Sequence, residues 1–158
     1  MNIRLQNLQI ITKEAVVDLD LSADATFIHG PISTGKSTVA RLIDYCLGGS
    51  LERTPAIRNE FVSSILFAKL GGFDVSFERG SEDNSVVRVT WKNDVGFSGA
   101  VNARLDPSPS AILDPDVFSM SDLICKLSDI DSIRVRRSKT DPDSPLIRLS
   151  FRDLMWYC

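Results

Sequence analysis

The segment Gly30-Pro31-Ile32-Ser33-Thr34-Gly35-Lys36-Ser37-Thr38 holds the residues whose types and spacing could do chemistry. Gly30 to Ser37 match G-x-x-x-x-G-K-[ST], a loop that wraps an oxyanion in its own backbone N–H groups. Gly30 and Gly35 permit the backbone angles that turn those groups inward, and they keep side chains out of the way. A helix opening at the end of the loop aims its free N–H groups and positive dipole end at the same anion. Lys36 can then reach β- and γ-phosphate oxygens of a triphosphate, and the Ser37 hydroxyl is placed to ligate Mg²⁺. The motif accepts ATP and GTP alike.

The flanking sequence supplies the elements that such a loop needs. Ala25 to His29 reads as a buried strand, with His29 a packing residue at its end. Ser37 to Leu47 reads as a helix, with apolar residues at Val39, Ala40, Leu42, Ile43, Cys46 and Leu47. Gly48-Gly49 supplies a left-handed stop. Ahead of the loop, Ile3 to Ile11 and Ala15 to Leu21 suggest a β-hairpin. In its second strand Val17, Leu19 and Leu21 alternate with Asp18 and Asp20, which read as solvated edge charges. The phosphate-loop strand is therefore the third. Ser50 to Asn59 reads as irregular. Ser63 to Leu70, Phe73 to Arg79 and Val86 to Trp91 form an antiparallel meander over about 62–92, with Phe73, Phe77 and Trp91 as its core. Residues 104–116 hold three prolines and read as a loop. Ser119 to Asp122 has the capping-box form and opens a short helix in a segment of about 118–130. Ser138 to Pro145 is a loop, and Leu146 to Leu149 a short strand. Ser150 to Asp153 is a second capping box that opens a helix over 150–158.

Composition bounds the rest. The chain has 158 residues, one domain's worth, of which 43% are hydrophobic and 25% charged, as in ordinary globular proteins. A net charge of −3 gives no overall field toward nucleic acid. Arg134, Arg136, Arg137 and Lys139 form a local basic cluster that could neutralise DNA phosphates, or simply lie in an exposed loop. Cys46, Cys125 and Cys158 form no C-x-x-C pair, and His29 is the one histidine, so free thiols in a reducing, cytoplasmic compartment are expected rather than a zinc site. The first fifteen residues are too polar for a secretory signal, and no apolar run is long enough to span a bilayer, so no membrane partner is expected.

Two features suggest an N-terminal piece of something longer. The last helix has barely begun when Phe151, Leu154, Met155, Trp156, Tyr157 and Cys158 end the sequence. A phosphate-loop ATPase also needs an apolar strand ending in an acidic residue. The nearest match, Ala111-Ile112-Leu113-Asp114, sits among prolines and is followed by Pro115. No catalytic residue is therefore assigned.

The pattern of hairpin, phosphate loop and helix, meander, helical segment and Ser150-Phe151-Arg152-Asp153-Leu154 helix resembles the N-terminal half of an ABC-type ATPase head. More narrowly, it resembles the structural-maintenance-of-chromosomes (SMC) type, including DNA double-strand-break-repair ATPases and bacterial anti-phage relatives. The residues carrying the resemblance are His29-Gly30-Pro31, Gly35-Lys36-Ser37-Thr38 and Ile43-Asp44-Tyr45-Cys46-Leu47-Gly48. Ile32 and Ser33 depart from the Asn and Gly usual in these families, and Thr12-Lys13 stands where an aromatic-basic turn is usual. Lys13 could approach the adenine or ribose, or be a solvated turn residue. The resemblance implies an α/β phosphate-loop fold, an N-terminal nucleotide-binding lobe over 1–158 with an antiparallel β-subdomain, and ATP with Mg²⁺ as cofactors. It also implies a C-terminal half-head or second subunit as partner, a homodimer in the full-length form, and DNA as the object of the work. Hydrolysis would await the missing half. The rival expectation is a small, non-catalytic nucleotide-responsive binding or assembly module.

Overall fold

Period-two alternation dominates the chain, and it folds accordingly into one antiparallel sheet. A computed structural model describes residues 3–32, 35–82, 85–105, 119–129, 134–148 and 150–151. Strands β1 (Ile3–Thr12), β2 (Val16–Asp20), β3 (Phe61–Leu70), β4 (Phe73–Gly80), β5 (Val86–Asn93) and β6 (Ser98–Arg104) pair in the order β2-β1-β3-β4-β5-β6. Helices α1 (Lys36–Cys46) and α2 (Pro55–Glu60) lie between β2 and β3 in sequence, and α3 (Met120–Leu127) follows β6. Strands β7 (Arg134–Arg136) and β8 (Leu146–Arg148) form a separate two-stranded sheet.

Register gathers the buried apolar residues of the sheet on one face, while Ile65 and Phe67 of β3 fall on the other. Leu19, Leu8, Leu66, Phe77, Val89 and Val101 are successive cross-strand partners, forming one ridge across six strands. Leu5, Ala68, Val75, Trp91 and Gly99 form the next ridge. Leu8, Leu66, Phe77 and Val89 are fully buried. The opposite face is wet: Gln9 donates to Asp18 at 3.0 Å, the Ser76 and Thr90 hydroxyls lie 2.6 Å apart, and Lys69 faces Asp74 at 3.7 Å. A one-sided antiparallel sheet needs a cover. Helix α1 supplies it, packing against β3 and β4 with Leu42, Tyr45 and Cys46 buried. Each such side chain contributes about 2 kcal/mol of apolar burial.

The expected hairpin and meander join into a single sheet through β1 and β3. The meander also extends one strand further than expected. Strand β6 is built of small residues and lies under Trp91, whose indole covers Gly99 so closely that a Cβ there would collide with the ring. Helix α2 occupies the stretch expected to be irregular. Thr54 caps it by accepting from the Ile57 N–H at 3.4 Å, and Pro55 sits at its first position. The serine cap at Ser119 is observed: its hydroxyl accepts from the Asp122 N–H at 3.2 Å. The Phe151 N–H donates to Ser121 Oγ at 3.0 Å, and its ring is buried.

The expected strand over Ala25 to His29 does not form. The sheet ends at β2 and β6, and residues 25–29 pair with neither, so an apolar run with strand composition has no neighbour to satisfy its backbone or cover its side chains. Phe27 is 86% exposed, and His29 is exposed rather than packed. Of the basic cluster, Arg134 and Arg136 lie on β7 and Arg137 and Lys139 follow it outside any strand, with Arg136, Arg137 and Lys139 exposed. Residues 111–114 and 152–158, including the expected final helix, lie outside the described residues.

Leu66→Ala should lower unfolding free energy by about 3 kcal/mol in urea titrations. Gly99→Ala should lower it by about 1–3 kcal/mol by displacing Trp91. Ala100→Ser, on the wet face, should stay within about 0.5 kcal/mol of the parent.

Candidate functional site

After β2 the chain leaves the sheet at Leu21, whose N–H donates to the Gln6 carbonyl at 2.9 Å. An exposed ion pair between Arg4 and Asp24, 2.8 Å, tethers it beside β1. It then runs exposed to the loop at Gly30, Pro31 and Ile32; Ser33 and Thr34 lie outside the described residues. Both motif glycines have backbone angles that side-chain-bearing residues rarely adopt: φ is 153° at Gly30 and 83° at Gly35. A Cβ on Gly35 would meet nothing within 4 Å, so glycine is needed there for conformation, not space.

Gly35 is also the N-cap of α1. It brings no side chain to the helix end, and the first turn holds no acidic residue, so no fixed carboxylate competes for the helix's positive end. Lys36 folds back over the loop. Its ammonium donates to the Gly30 carbonyl at 2.9 Å and the Pro31 carbonyl at 2.5 Å. Ser37 is exposed and Thr38 half-buried on the same first turn. The structure thus brings Gly30, Pro31, Gly35, Lys36, Ser37 and Thr38 to one helix end, with one ammonium held against the Gly30 and Pro31 carbonyls. Such an arrangement fits the oxygens of a phosphate chain. Lys13, by contrast, lies exposed in the β1–β2 turn, its N–H donating to the Glu60 carbonyl at 2.9 Å.

The opposite end of α1 is held by residues that the motif does not reveal. The Gly49 N–H donates to the Asp44 carbonyl at 2.8 Å and the Gly48 N–H to the Tyr45 carbonyl at 3.1 Å, a Schellman closure. Arg79 of β4, only 3% exposed, donates from Nη1 to the carbonyls of Tyr45 (2.8 Å) and Gly49 (2.6 Å). Its guanidinium carbon stands 3.8 Å from the Tyr45 ring centroid. The Tyr45 hydroxyl donates to the Gly80 carbonyl at 2.8 Å, and Cys46 Sγ lies 3.1 Å from Ser64 Oγ. A signal for Arg79 exists in the sequence: it falls in the inward-facing phase of β4, after Phe73, Val75 and Phe77. Burial pushes the Cys46 thiol up to about 11 from an ordinary 9.0, against the opposing effects of Ser64 and Arg79.

A groove of about 480 Å³ runs between β1, residues 21–28 and α1, lined by Ile3, Leu5, Leu21, Ile28 and Ile43 among others. Phe27, Ile28 and Ile32 add exposed apolar surface on the approach to the loop.

This architecture belongs to a known class of ATPase domain. The sequence model of the AAA domain family matches residues 2–155, and the chain belongs to that family. Its members generally bind ATP with Mg²⁺. The mostly antiparallel sheet with few helices fits an α/β ATPase fragment. No curated protein and no solved structure matches the chain significantly. Among the described residues no helix is long and apolar enough to cross a membrane.

The thiol has a pH signature. Below about pH 9 Cys46 is neutral in both folded and unfolded chains; between about 9 and 11 only the unfolded chain ionises, so stability falls as pH rises. Urea unfolding of the parent should lose up to about 2–3 kcal/mol more across that window than Cys46→Ser.

Proposed function

We propose that this chain is the ATP-binding N-terminal part of an SMC-like ATPase that acts on DNA, in repair, chromosome maintenance or anti-phage defence. The observation that carries the reading is the ammonium of Lys36, drawn in by the Gly30 and Pro31 carbonyls at the head of a helix capped by a bare glycine. Lys36 would hold β- and γ-phosphate oxygens, the backbone from Gly30 to Gly35 would cradle them, and Ser37 would ligate Mg²⁺. Thr38 completes the binding turn. The bound metal would neutralise phosphate charge; this chain's residues bind and orient.

Hydrolysis is assigned to groups outside this chain, supplied by the C-terminal half of the head or a second subunit, with two heads closing as a homodimer. The exposed Phe27 and Ile28 support this, together with the apolar groove beside them. A strand-like segment without strands beside it is a surface for further chain to cover. Arg136, Arg137 and Lys139 are exposed cations that DNA phosphates would suit.

Calorimetry with MgATP tests the reading. The folded protein should take up MgATP, and Lys36→Ala should weaken uptake at least about tenfold by removing a charge-assisted contact. Ser37→Ala should retain nucleotide but lose most of the Mg²⁺ dependence of binding. Absence of MgATP uptake by folded parent protein would sink the nucleotide reading. In the full-length protein, DNA that leaves the ATPase rate unchanged would count against the SMC-like assignment.

A further inference from the structure

We infer that Arg79 is a positioning residue for the phosphate loop: by fixing the C-terminal end of α1 it sets where the N-terminal end, and with it Lys36 and Ser37, presents to a nucleotide. The inference rests on the nucleotide reading above and names a residue 43 positions beyond the motif lysine that the site depends on. Helix α1 has 11 residues, so it is a rod of about 16 Å with the loop at one end and Arg79 at the other. Among the described residues the loop end supplies little to fix the rod, because residues 22–32 are exposed and Gly35 offers no capping side chain. The apolar contacts of Leu42, Tyr45 and Cys46 hold the helix to the sheet, but apolar contact is non-directional and tolerates small slides and rotations.

Directional restraint comes from Arg79. One nitrogen donates to two carbonyls that stand on either side of the Schellman turn, and the planar guanidinium stacks on the side chain of the same Tyr45 whose carbonyl it holds. The Tyr45 hydroxyl then ties back to Gly80, the next residue of β4. Helix end and strand end are thereby locked in rotation as well as distance. Packing alone does not require a guanidinium: a buried charge is costly, and an apolar side chain of similar length would fill the space. Its favourable match is the negative end of the helix dipole, where α1 has no basic residue of its own in the last turn. Lysine would keep the charge but lose the planar stack.

The test compares Arg79→Lys and Arg79→Met with Val89→Ala, a core substitution on β5 away from α1, in the full-length protein. Thermal midpoints identify the pair with matched stability loss. MgATP affinity by calorimetry and amide exchange at residues 35–40 are then measured well below those midpoints. If Arg79 positions the loop, Arg79→Lys weakens MgATP binding about tenfold relative to Val89→Ala, and exchange at residues 35–40 accelerates in the Arg79 variants alone. Equal affinities and equal exchange in stability-matched variants would show that Arg79 is structural only, and would overturn the inference. Should the parent take up no MgATP, the nucleotide reading fails by itself, while the exchange comparison still decides whether Arg79 governs the head of α1.

Discussion

A buried guanidinium at the end of a helix organises this domain. Arg79 arrives on the apolar face of the sheet, in a phase otherwise given to Phe and Val, and meets the carbonyl end of α1. A charge there is tolerable only because the helix end, two backbone oxygens and an aromatic face all receive it. The helix is thus fastened to the sheet by a polar contact at one end and by apolar packing along its side. At its other end stand Gly35, which brings no capping side chain, and Lys36, folded back onto the Gly30 and Pro31 carbonyls.

The sheet serves this helix as a platform. Its apolar ridges run unbroken from Leu19 to Val101, while its far side carries the hydroxyl, amide and carboxylate groups of a solvated surface. That division, with α1 as the cover of the apolar side, completes the antiparallel part. It does not extend to residues 25–29, which have the composition of a buried strand without a neighbour to make them one.

Much of this was legible in the sequence, for physical reasons that differ by element. The hairpin, β3 to β5, α1 with its glycine stop and α3 with its serine cap all follow from period and capping chemistry, which are local properties. The elements missed depend on something distant. Strand β6 has weak strand composition because Trp91 of β5 supplies the bulk that its own residues lack. Helix α2 was overlooked although Thr54-Pro55 is a recognisable start, since its six residues carry no apolar stripe. The strand over 25–29 fails in the opposite way: composition is right, but pairing is a property of the neighbour. At the site, residue types gave the loop, whereas the anchoring of α1 by Arg79 appears only once strand phase and helix end are seen together.

The order of pairing has one more consequence. From β3 to β6 each strand finds its partner across a short turn, so these hairpins close quickly. Strand β1 must instead find β3, with partners roughly fifty or more residues apart, and the intervening chain holds β2, the glycine turn and both α1 and α2. The segment that carries Gly30, Gly35 and Lys36 is therefore enclosed within the slowest closure of the fold. It acquires its shape only after the remainder has committed, and a molecule that binds it would act as a latch on the last step rather than as a template for the first.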